Sequence, residues 1–384
     1  MINFQKKEVI GRCLYFISYI PILLFSILNT TMYYQYIPSA YTKLVIMFSI
    51  GILLIKFIFI DEHTFLEYMS IILALIINLL AYYKSDNKYL LIMVIFMVAS
   101  SALKEKSLIL SYLVITIGVL IFAFISTKMG IIPDLVYQRN MLDRHSFGII
   151  YPTDFAAHIF YLMCALTLLR FKRYNLLDFL LLIMVAICLF RYTDARLNTV
   201  MILLLALATL ILKKMPVLNK SIFKFAWIVP IFSIIFAYLS TYFYSNGSAF
   251  FAVLNKLFSG RLGIVQNVLS ENGIKLFGQK IIENGWGGKG FYLNTNIYKY
   301  TYIDSAFMRL LIIYGVLATI LFLFTIVVYL KTVKNAELIL IVSLILISGI
   351  IEQHFIDIAY NPFLLLLASS YFKQKKENRK CKNI

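Results

Sequence analysis

Long apolar stretches recur along the chain, and short polar segments separate them. A helix needs about 20 such residues to cross a bilayer, and the longest stretches reach that length. The pattern predicts an all-α polytopic membrane protein with about 12 transmembrane helices. The predicted spans are 13–30, 44–60, 66–83, 89–103, 108–126, 155–170, 176–190, 197–212, 222–243, 303–330, 336–351 and 355–372.

Two of the polar segments between the spans are long. They cover residues 127–154 and 244–302, and the second lies between the ninth and tenth spans. A connection of about sixty residues is too long for a simple linker. We interpret the chain, 1–384, as a single integral membrane domain whose function lies in these two loops. The larger loop contains LGIVQNVLSENGIKLFG, residues 262–278, which we predict to be amphipathic and to lie on the membrane surface.

Composition supports the membrane assignment. Hydrophobic residues make up 61% of the 384 residues and charged residues 14%, whereas soluble domains are about 45–50% apolar and about 25% charged. These values exclude a water-soluble enzyme and a disordered chain. We attribute the net charge of +18 to membrane topology, because basic residues keep the loops that carry them in the cytoplasm. The distribution predicts cytoplasmic termini, outer positions for both long loops and no nucleic-acid partner.

The four cysteines carry no predicted chemistry. Cys13, Cys164 and Cys188 lie in apolar stretches, and Cys381 lies in a basic tail. Their spacing suits neither a disulfide across an outer loop nor a metal site. The sequence therefore predicts no metal and no cofactor.

Arginine is distributed differently from lysine. The chain has 10 arginines and 26 lysines, and six of the arginines fall in predicted outer loops or at outer ends of spans. Positive charge is disfavoured there, and the arginine fork binds phosphate bidentately. We therefore expect an outer substrate that carries phosphate or carboxylate. The alternative is ion pairing, of Arg191 with Asp194 and of Arg139 or Arg144 with Asp143. The six residues are Arg139, Arg144, Arg191, Arg196, Arg261 and Arg309.

Two arginine segments have informative surroundings. RYTDAR, residues 191–196, joins the seventh and eighth spans, and its two arginines would point about 140° apart on a continuous helix. They converge only if the turn is not helical. In SGRLG, residues 259–263, Gly260 permits an unusual backbone angle before Arg261. A helix that starts there would add a partial positive charge.

Carboxylates and a histidine complete the candidate chemistry. In YIDSAFMRLLIIYG, residues 302–315, Asp304 is either a helix N-cap or a base for an attacking hydroxyl. Glu352, His354 and Asp357 form a polar group that either contacts sugar or closes a helix hairpin. Two further candidates within or next to spans are Glu67 and Asp154.

Three of these segments, in this order, resemble the O-antigen polymerase and ligase superfamily, and most closely the Wzy-type polysaccharide repeat-unit polymerases. They are Arg196 in DARLNTV, then SGR with the stretch that ends in LFG (259–278), then the pair Asp304–Ser305 followed at a distance by Gly315. In motif terms the resemblance covers about 176–330, and in topology it covers the whole chain.

The resemblance implies a metal-independent lipid-sugar glycosyltransferase of the GT-C-like type in the bacterial cytoplasmic (inner) membrane. It implies that Arg196 and Arg261, supported by Arg191 and Arg309, hold the diphosphate of an undecaprenyl-pyrophosphate-linked glycan. Asp304 would activate the acceptor hydroxyl. The product would be capsule, exopolysaccharide or O-antigen, and a chain-length regulator would be a partner. Sugar contacts are expected from His354, Glu352, Arg139 and Arg144.

Two other functions stay open. Ligases of the superfamily have a histidine where this chain has Asp304, and this difference argues against a ligase. A lipid-glycan flippase or transporter would also suit many spans, but such proteins place polar residues at the midplane. Here the predicted spans are nearly free of charge. A charged central cavity would favour transport.

Overall fold

Helices dominate the computed structural model, which describes residues 4–101, 103–139, 141–214, 223–245, 247–292 and 300–382, with side chains from 6 to 375. The helices are α1 (Phe4–Leu28), α2 (Ser39–Phe59), α3 (Phe65–Ser85), α4 (Tyr89–Ala99), α5 (Glu105–Lys128), α6 (Pro152–Arg170), α7 (Leu176–Thr193), α8 (Arg196–Lys214), α9 (Ile228–Tyr242), α10 (Ala249–Leu257), α11 (Arg261–Asn272), α12 (Ala306–Arg309), α13 (Val316–Thr332), α14 (Ala336–Ser348) and α15 (Phe363–Lys382). Residue 222, where the ninth span was predicted to start, and the Cys381 side chain lie outside the described part.

The chain is an α-helical membrane protein. Among the described residues, seven segments are long and apolar enough to cross a bilayer, and α4, α9, α13 and α14 are shorter apolar helices. The total of 12 spans stays a prediction. The seven segments cover 6–28, 39–59, 65–85, 105–128, 152–173, 176–193 and 196–214.

Two predicted spans differ from the observed helices. The stretch 303–330 is not one helix: α12 continues as a π-helical segment, Leu310–Tyr314, and the chain then breaks at Gly315 before α13. The last span was predicted from residue 355, but α15 begins at Phe363 after a 3₁₀ turn, His354–Ile356. Hydropathy does not reveal the break at Gly315, since apolar residues flank it on both sides, whereas Asp357 and the Asn361–Pro362 pair do mark the later start of α15 in the sequence.

The core is built from α6, α12, α14 and the first half of α15. Every described side chain of α12 is buried, as are most of those in α14. By contrast, α2, α3 and α7 expose large apolar side chains such as Met47, Leu66 and Leu177. In a membrane protein these outward faces meet lipid, because a helix face can be apolar and unburied only where no water surrounds it.

The predicted loop 127–154 contains a β-hairpin. β1 (Val136–Arg139) pairs antiparallel with β2 (Leu142–His145). The carboxylate of Asp134 holds the base of the hairpin, because it accepts hydrogen bonds from the backbone N–H groups of Ser146, at 3.1 Å, and Phe147, at 2.7 Å. The hairpin thereby carries two of the predicted arginines towards the turn between α7 and α8.

The described part of the predicted loop 244–302 packs onto the protein. Helix α11 starts at Arg261 directly after Gly260, whose φ of +84° is the unusual angle expected there. The apolar side of α11 is buried in the protein through Leu262, Val265 and Val268. The first part of the predicted amphipathic segment therefore uses its apolar residues for tertiary packing.

The connections between helices gather at two ends of the bundle. The end that holds the hairpin, the 244–302 loop and residues 352–361 is called the loop end. The other end brings together segments that were all predicted to be cytoplasmic. They include residue 7 and residues 61–62, 104–106 and 373–375. Helix α1 runs from that end to the loop end.

Candidate functional site

Three arginines meet at the loop end, around the turn between α7 and α8. Asp194 has a φ of +45°, so the turn is not helical, and Arg196 starts α8. The Asp194 carboxylate accepts a hydrogen bond from Arg139 Nε at 2.7 Å and lies 3.4 Å from Arg196 Nε. Arg144 Nε donates to the carbonyl oxygen of Thr193 at 2.8 Å. We call Arg139, Arg144, Arg196 and Asp194 the arginine cluster.

The arginine cluster has more positive than negative charge. Arg139 and Arg196 share the Asp194 carboxylate, and Arg144 binds the Thr193 carbonyl oxygen through its Nε. Arg144 is buried, and its Nη2 has no hydrogen-bond partner within the described part of the chain. Arg196 leaves 52% of its side chain exposed. The cluster can therefore accept an anion without first breaking all its own contacts.

The ion pairs observed among the described residues are not the predicted ones. Asp194 binds Arg139 and Arg196, whereas Arg191 was expected to pair with Asp194, and Arg139 or Arg144 with Asp143. Arg191 and Asp143 are both exposed. The pairing differs because the hairpin brings Arg139 across from 55 residues earlier in the chain.

A second group of charged residues surrounds Asp304. Arg261 Nε lies 3.4 Å from Asp304 Oδ2, and Arg261 Nη1 lies 3.6 Å from Glu352 Oε1. His354 Nδ1 lies 3.4 Å from Glu352 Oε2, and His354 Nε2 lies 3.1 Å from Asp154 Oδ1. We call these five residues the Asp304 cluster.

Charges within the Asp304 cluster stabilise one another. Burial alone would lower the pKa of His354, but its contacts with Asp154 and Glu352 raise that pKa to about 9. Burial would raise the pKa of Glu352, yet His354 and Arg261 bring it below its usual value. Burial likewise opposes the charge on Arg261, but Asp304 and Glu352 raise the pKa of that guanidinium. His354 is therefore a cation at neutral pH.

Asp304 is not the helix cap. Ser305 is the N-cap of α12, and its Oγ accepts from the backbone N–H of Met308 at 3.4 Å. The Asp304 carboxylate instead accepts a hydrogen bond from Tyr300 Oη at 3.0 Å. Burial raises the pKa of Asp304, against the opposing effects of Arg261 and Tyr300. A carboxyl with a raised pKa is better matched to proton transfer near neutral pH.

Arg309 lies in a different environment from the other arginines. It is 3% exposed, and its Nη1 and Nη2 donate to the two carboxylate oxygens of Glu283 at 2.7 and 2.6 Å. Glu283 also accepts from the backbone N–H of Ile303 at 3.0 Å. Arg309 thus anchors the large loop to α12, and its fork is already filled. The predicted role of Arg309 in holding diphosphate does not fit this geometry.

Aromatic side chains connect the two clusters. The Arg144 guanidinium lies over the Tyr151 ring, with its Cζ atom 5.7 Å from the ring centroid. The Tyr151 ring also contacts the Tyr137 ring edge to face. Tyr137 Oη donates to the Trp286 carbonyl oxygen at 2.8 Å, and the Trp286 ring stacks on Tyr300. Half-buried aromatic rings next to charged groups are typical of sites that bind bulky polar ligands.

Asn198 is a contributor that the sequence analysis did not name as a candidate. Asn198 Nδ2 donates to both Glu352 oxygens at 3.0 and 3.1 Å, which links α8 to the Asp304 cluster. Asn198 lies in the DARLNTV segment, two residues after Arg196, so that segment could have indicated it.

Asp357 accepts a hydrogen bond from the backbone N–H of Ala359 at 2.9 Å and closes the turn before α15. Burial raises its pKa to about 6. Glu67 lies at the opposite end, paired with Lys375.

No protein-family model matches this chain, and searches of curated proteins and of solved structures found no significant match either. The arguments for function therefore rest on the residues and their geometry.

We expect the purified protein to lose stability in mild alkali. A histidine whose folded pKa is about 9 stabilises the fold fully below the unfolded value of about 6.5, and this contribution is lost as the pH rises through 9. The effect should be on the order of 2–3 kcal/mol at most. Thermal unfolding in detergent between pH 6 and 10 measures it. His354→Gln should flatten the curve across this window, and an unchanged slope would contradict the assigned charge.

Proposed function

We propose that this protein is a polysaccharide polymerase that joins undecaprenyl-pyrophosphate-linked oligosaccharide repeat units on the outer face of the bacterial cytoplasmic membrane. The observation that carries the proposal is the adjacency of the two clusters. One has surplus positive charge for a diphosphate, and the other presents a carboxylate for an acceptor hydroxyl. The resemblance of the three segments to the Wzy-type polymerases supports the same reading.

The reaction needs three contributions from the protein. An acceptor hydroxyl oxygen forms a bond to the anomeric carbon of the donor, and its proton passes to a base. The bond from that carbon to the phosphate oxygen breaks, and undecaprenyl pyrophosphate leaves. Because the leaving group is already activated, catalysis reduces to stabilising its charge, positioning both lipids and accepting one proton.

The charges suit these contributions. Asp304 accepts the proton, with 14% of its side chain exposed and a raised pKa. Arg196, Arg139 and Arg144 hold the diphosphate, and exposed Arg191 extends the positive surface. Arg261 would also contact a phosphate oxygen, since 17% of its side chain is exposed beside Asp304 and Glu352.

Arginine side chains that bind the diphosphate can replace a metal ion in this reaction. Guanidinium groups keep their charge and bind phosphate oxygens in pairs. His354 and Glu352 orient Arg261 and, through it, Asp304. The two lipid-linked substrates would approach from the bilayer, and the aromatic chain from Tyr151 to Tyr300 would contact their sugars.

The glycan of the producing cell tests the proposal. We expect deletion of the gene to remove long chains while single repeat units are still displayed, and the wild-type gene to restore them. Arg196→Ala should restore at least tenfold less polymer at equal protein level, because it removes a diphosphate contact. Arg173→Ala is the matched control, since Arg173 is exposed in the connection between α6 and α7.

Other outcomes point elsewhere. Long chains that accumulate on the lipid carrier would mean a ligase, and repeat units trapped inside the cell would mean a flippase. An unchanged glycan would contradict all three glycan functions.

A further inference from the structure

The end of the bundle opposite the candidate site contains a large polar cavity. Its volume is about 810 Å³, and its walls come from α1, the α2–α3 connection, the α4–α5 connection and α15. Seven basic and five acidic side chains line it, a surplus of two positive charges before His63 is considered. These segments lie at the end predicted to be cytoplasmic, although the acidic pair Asp61–Glu62 goes against the charge rule on which that prediction depends.

The acidic side chains of the cavity are mostly neutralised by its lysines. Lys56 binds Asp61 at 2.6 Å, Lys7 binds Glu62 at 3.0 Å and Lys375 binds Glu67 at 2.7 Å. The remaining basic groups have no ion pair to a described side chain, and they are Arg12, Lys104, Lys106 and Lys373. All four are at least partly exposed, and together with Glu8 and Glu105, which also line the cavity, they account for its surplus of two positive charges.

An apolar groove continues from this cavity along the helices. It measures about 500 Å³ and lies between α3, α4, α13 and α15. Its lining includes Ala74, Val98 and Phe322. From Glu67 to Asn78 it follows eleven residues of α3, roughly 16 Å at 1.5 Å per residue. That length suits an extended hydrocarbon chain.

The cavity and the groove meet at one place. Glu67, Phe372 and Lys375 line both of them. A ligand that fills the two together must have an anionic head and an apolar tail, joined at the level of this junction. The chain's own residues 376–384, KENRKCKNI, are a poor occupant, because they are basic and would face a basic cavity.

We propose that the cavity and groove form a binding site for a membrane phospholipid with an anionic headgroup, its phosphate held by Arg12, Lys104, Lys106 and Lys373 and one acyl chain in the groove. The attraction combines the charge of the headgroup, which several lysines share, with burial of the chain. The site is separate from the loop end and does not depend on the function proposed for it.

Native mass spectrometry of the full chain in detergent tests the proposal. We expect one phosphatidylglycerol to be retained, with at least tenfold higher affinity than phosphatidylcholine. The triple variant Lys104→Gln, Lys106→Gln, Lys373→Gln should lose this preference. Ala74→Phe should weaken binding of both lipids, because it fills the groove. The charge-matched control replaces Lys128, Lys256 and Lys275, exposed near the other end, by Gln and should bind as the wild type does.

Glycerol 3-phosphate separates the headgroup from the whole lipid. We expect it to compete with phosphatidylglycerol only weakly, since it has no acyl chain. If it binds as tightly as the lipid and Ala74→Phe leaves its binding unchanged, the cavity is a soluble-anion site and the lipid assignment is wrong. Equal retention of the two phospholipids, or wild-type binding by the triple variant, would also overturn the proposal.

Discussion

Asp304→Asn should remove nearly all polymer while the protein still accumulates and folds. The amide keeps the size of the carboxyl group and can still accept the hydrogen bond from Tyr300, and the cap of α12 belongs to Ser305. What is lost is the ability to accept a proton, together with the charge that faces Arg261, whose other carboxylate partner Glu352 remains. General-base catalysis contributes about 10²–10⁴-fold, so we expect a decrease of that size in the amount of long-chain glycan.

The measurement is the glycan size distribution in a deletion strain that expresses each variant at matched level. Asp143→Asn makes the same chemical change on the exposed hairpin and should leave chain length unchanged. Ser305→Ala separates helix stability from chemistry, because it removes the cap and leaves the carboxylate. Wild-type chain lengths from Asp304→Asn would contradict a role for this carboxylate as the base.

Gly315→Ala should prevent the protein from folding. Gly315 has φ +87° and ψ 170°, a backbone region that only glycine enters readily. An added Cβ would lie 2.1 Å from the backbone nitrogen of Gly278 and 2.7 Å from the carbonyl oxygen of Leu276. Both neighbours are backbone atoms and cannot rotate away, so we expect destabilisation by more than about 4 kcal/mol.

The yield of monodisperse protein after detergent extraction, followed by size-exclusion chromatography, reports this loss. Gly118→Ala is the matched control. Gly118 lies in α5 with open space around its Cβ position, so alanine there should be neutral or slightly stabilising. A normal elution profile for Gly315→Ala would show that the contact between Gly278 and Gly315 is not required.

These two glycines also explain part of the motif pattern. The backbone N–H of Gln279 donates to the Ile313 carbonyl oxygen at 2.9 Å, and that of Val316 donates to the Lys275 carbonyl oxygen at 3.1 Å. The LFG segment, residues 276–278 of the large loop, therefore packs against the break between α12 and α13. In the sequence, Gly315 belonged to the motif only by its spacing from Asp304. The structure explains why the residue is glycine: its backbone contacts a segment about forty residues earlier in the chain.

The apolar pattern was sufficient for most helices, because a helix that crosses a bilayer must be apolar over its whole length. It did not locate the break at Gly315, since Tyr314 and Val316 are as apolar as their neighbours. The sequence also did not predict the non-helical turn at Asp194. It indicated only that Arg191 and Arg196 could converge if the turn was not helical. Local backbone geometry of this kind leaves little trace in hydropathy.

The site was predictable in part. The outer arginines, Asp304 and the Glu352–His354 pair were selected from charge and position, and Arg261, Asp304, Glu352 and His354 lie together in the structure. The hydrogen bond between His354 and Asp154 joins residues 200 apart, and no local pattern reports it. Arg309 was misjudged because its partner Glu283 lies in a loop whose path depends on tertiary packing.

The order in which the Asp304 cluster is assembled has a consequence for biosynthesis. Its residues come from α6, α11, the segment before α12 and the α14–α15 connection, with Asn198 of α8 bound to Glu352, so the ribosome delivers Glu352 and His354 last. Until that final hairpin enters the membrane, Arg261 lacks its second carboxylate and Asn198 lacks its acceptor. Under the function proposed above, a nascent chain would therefore gain activity only after almost all of it has been inserted, and unfinished copies would not act on lipid-linked sugars.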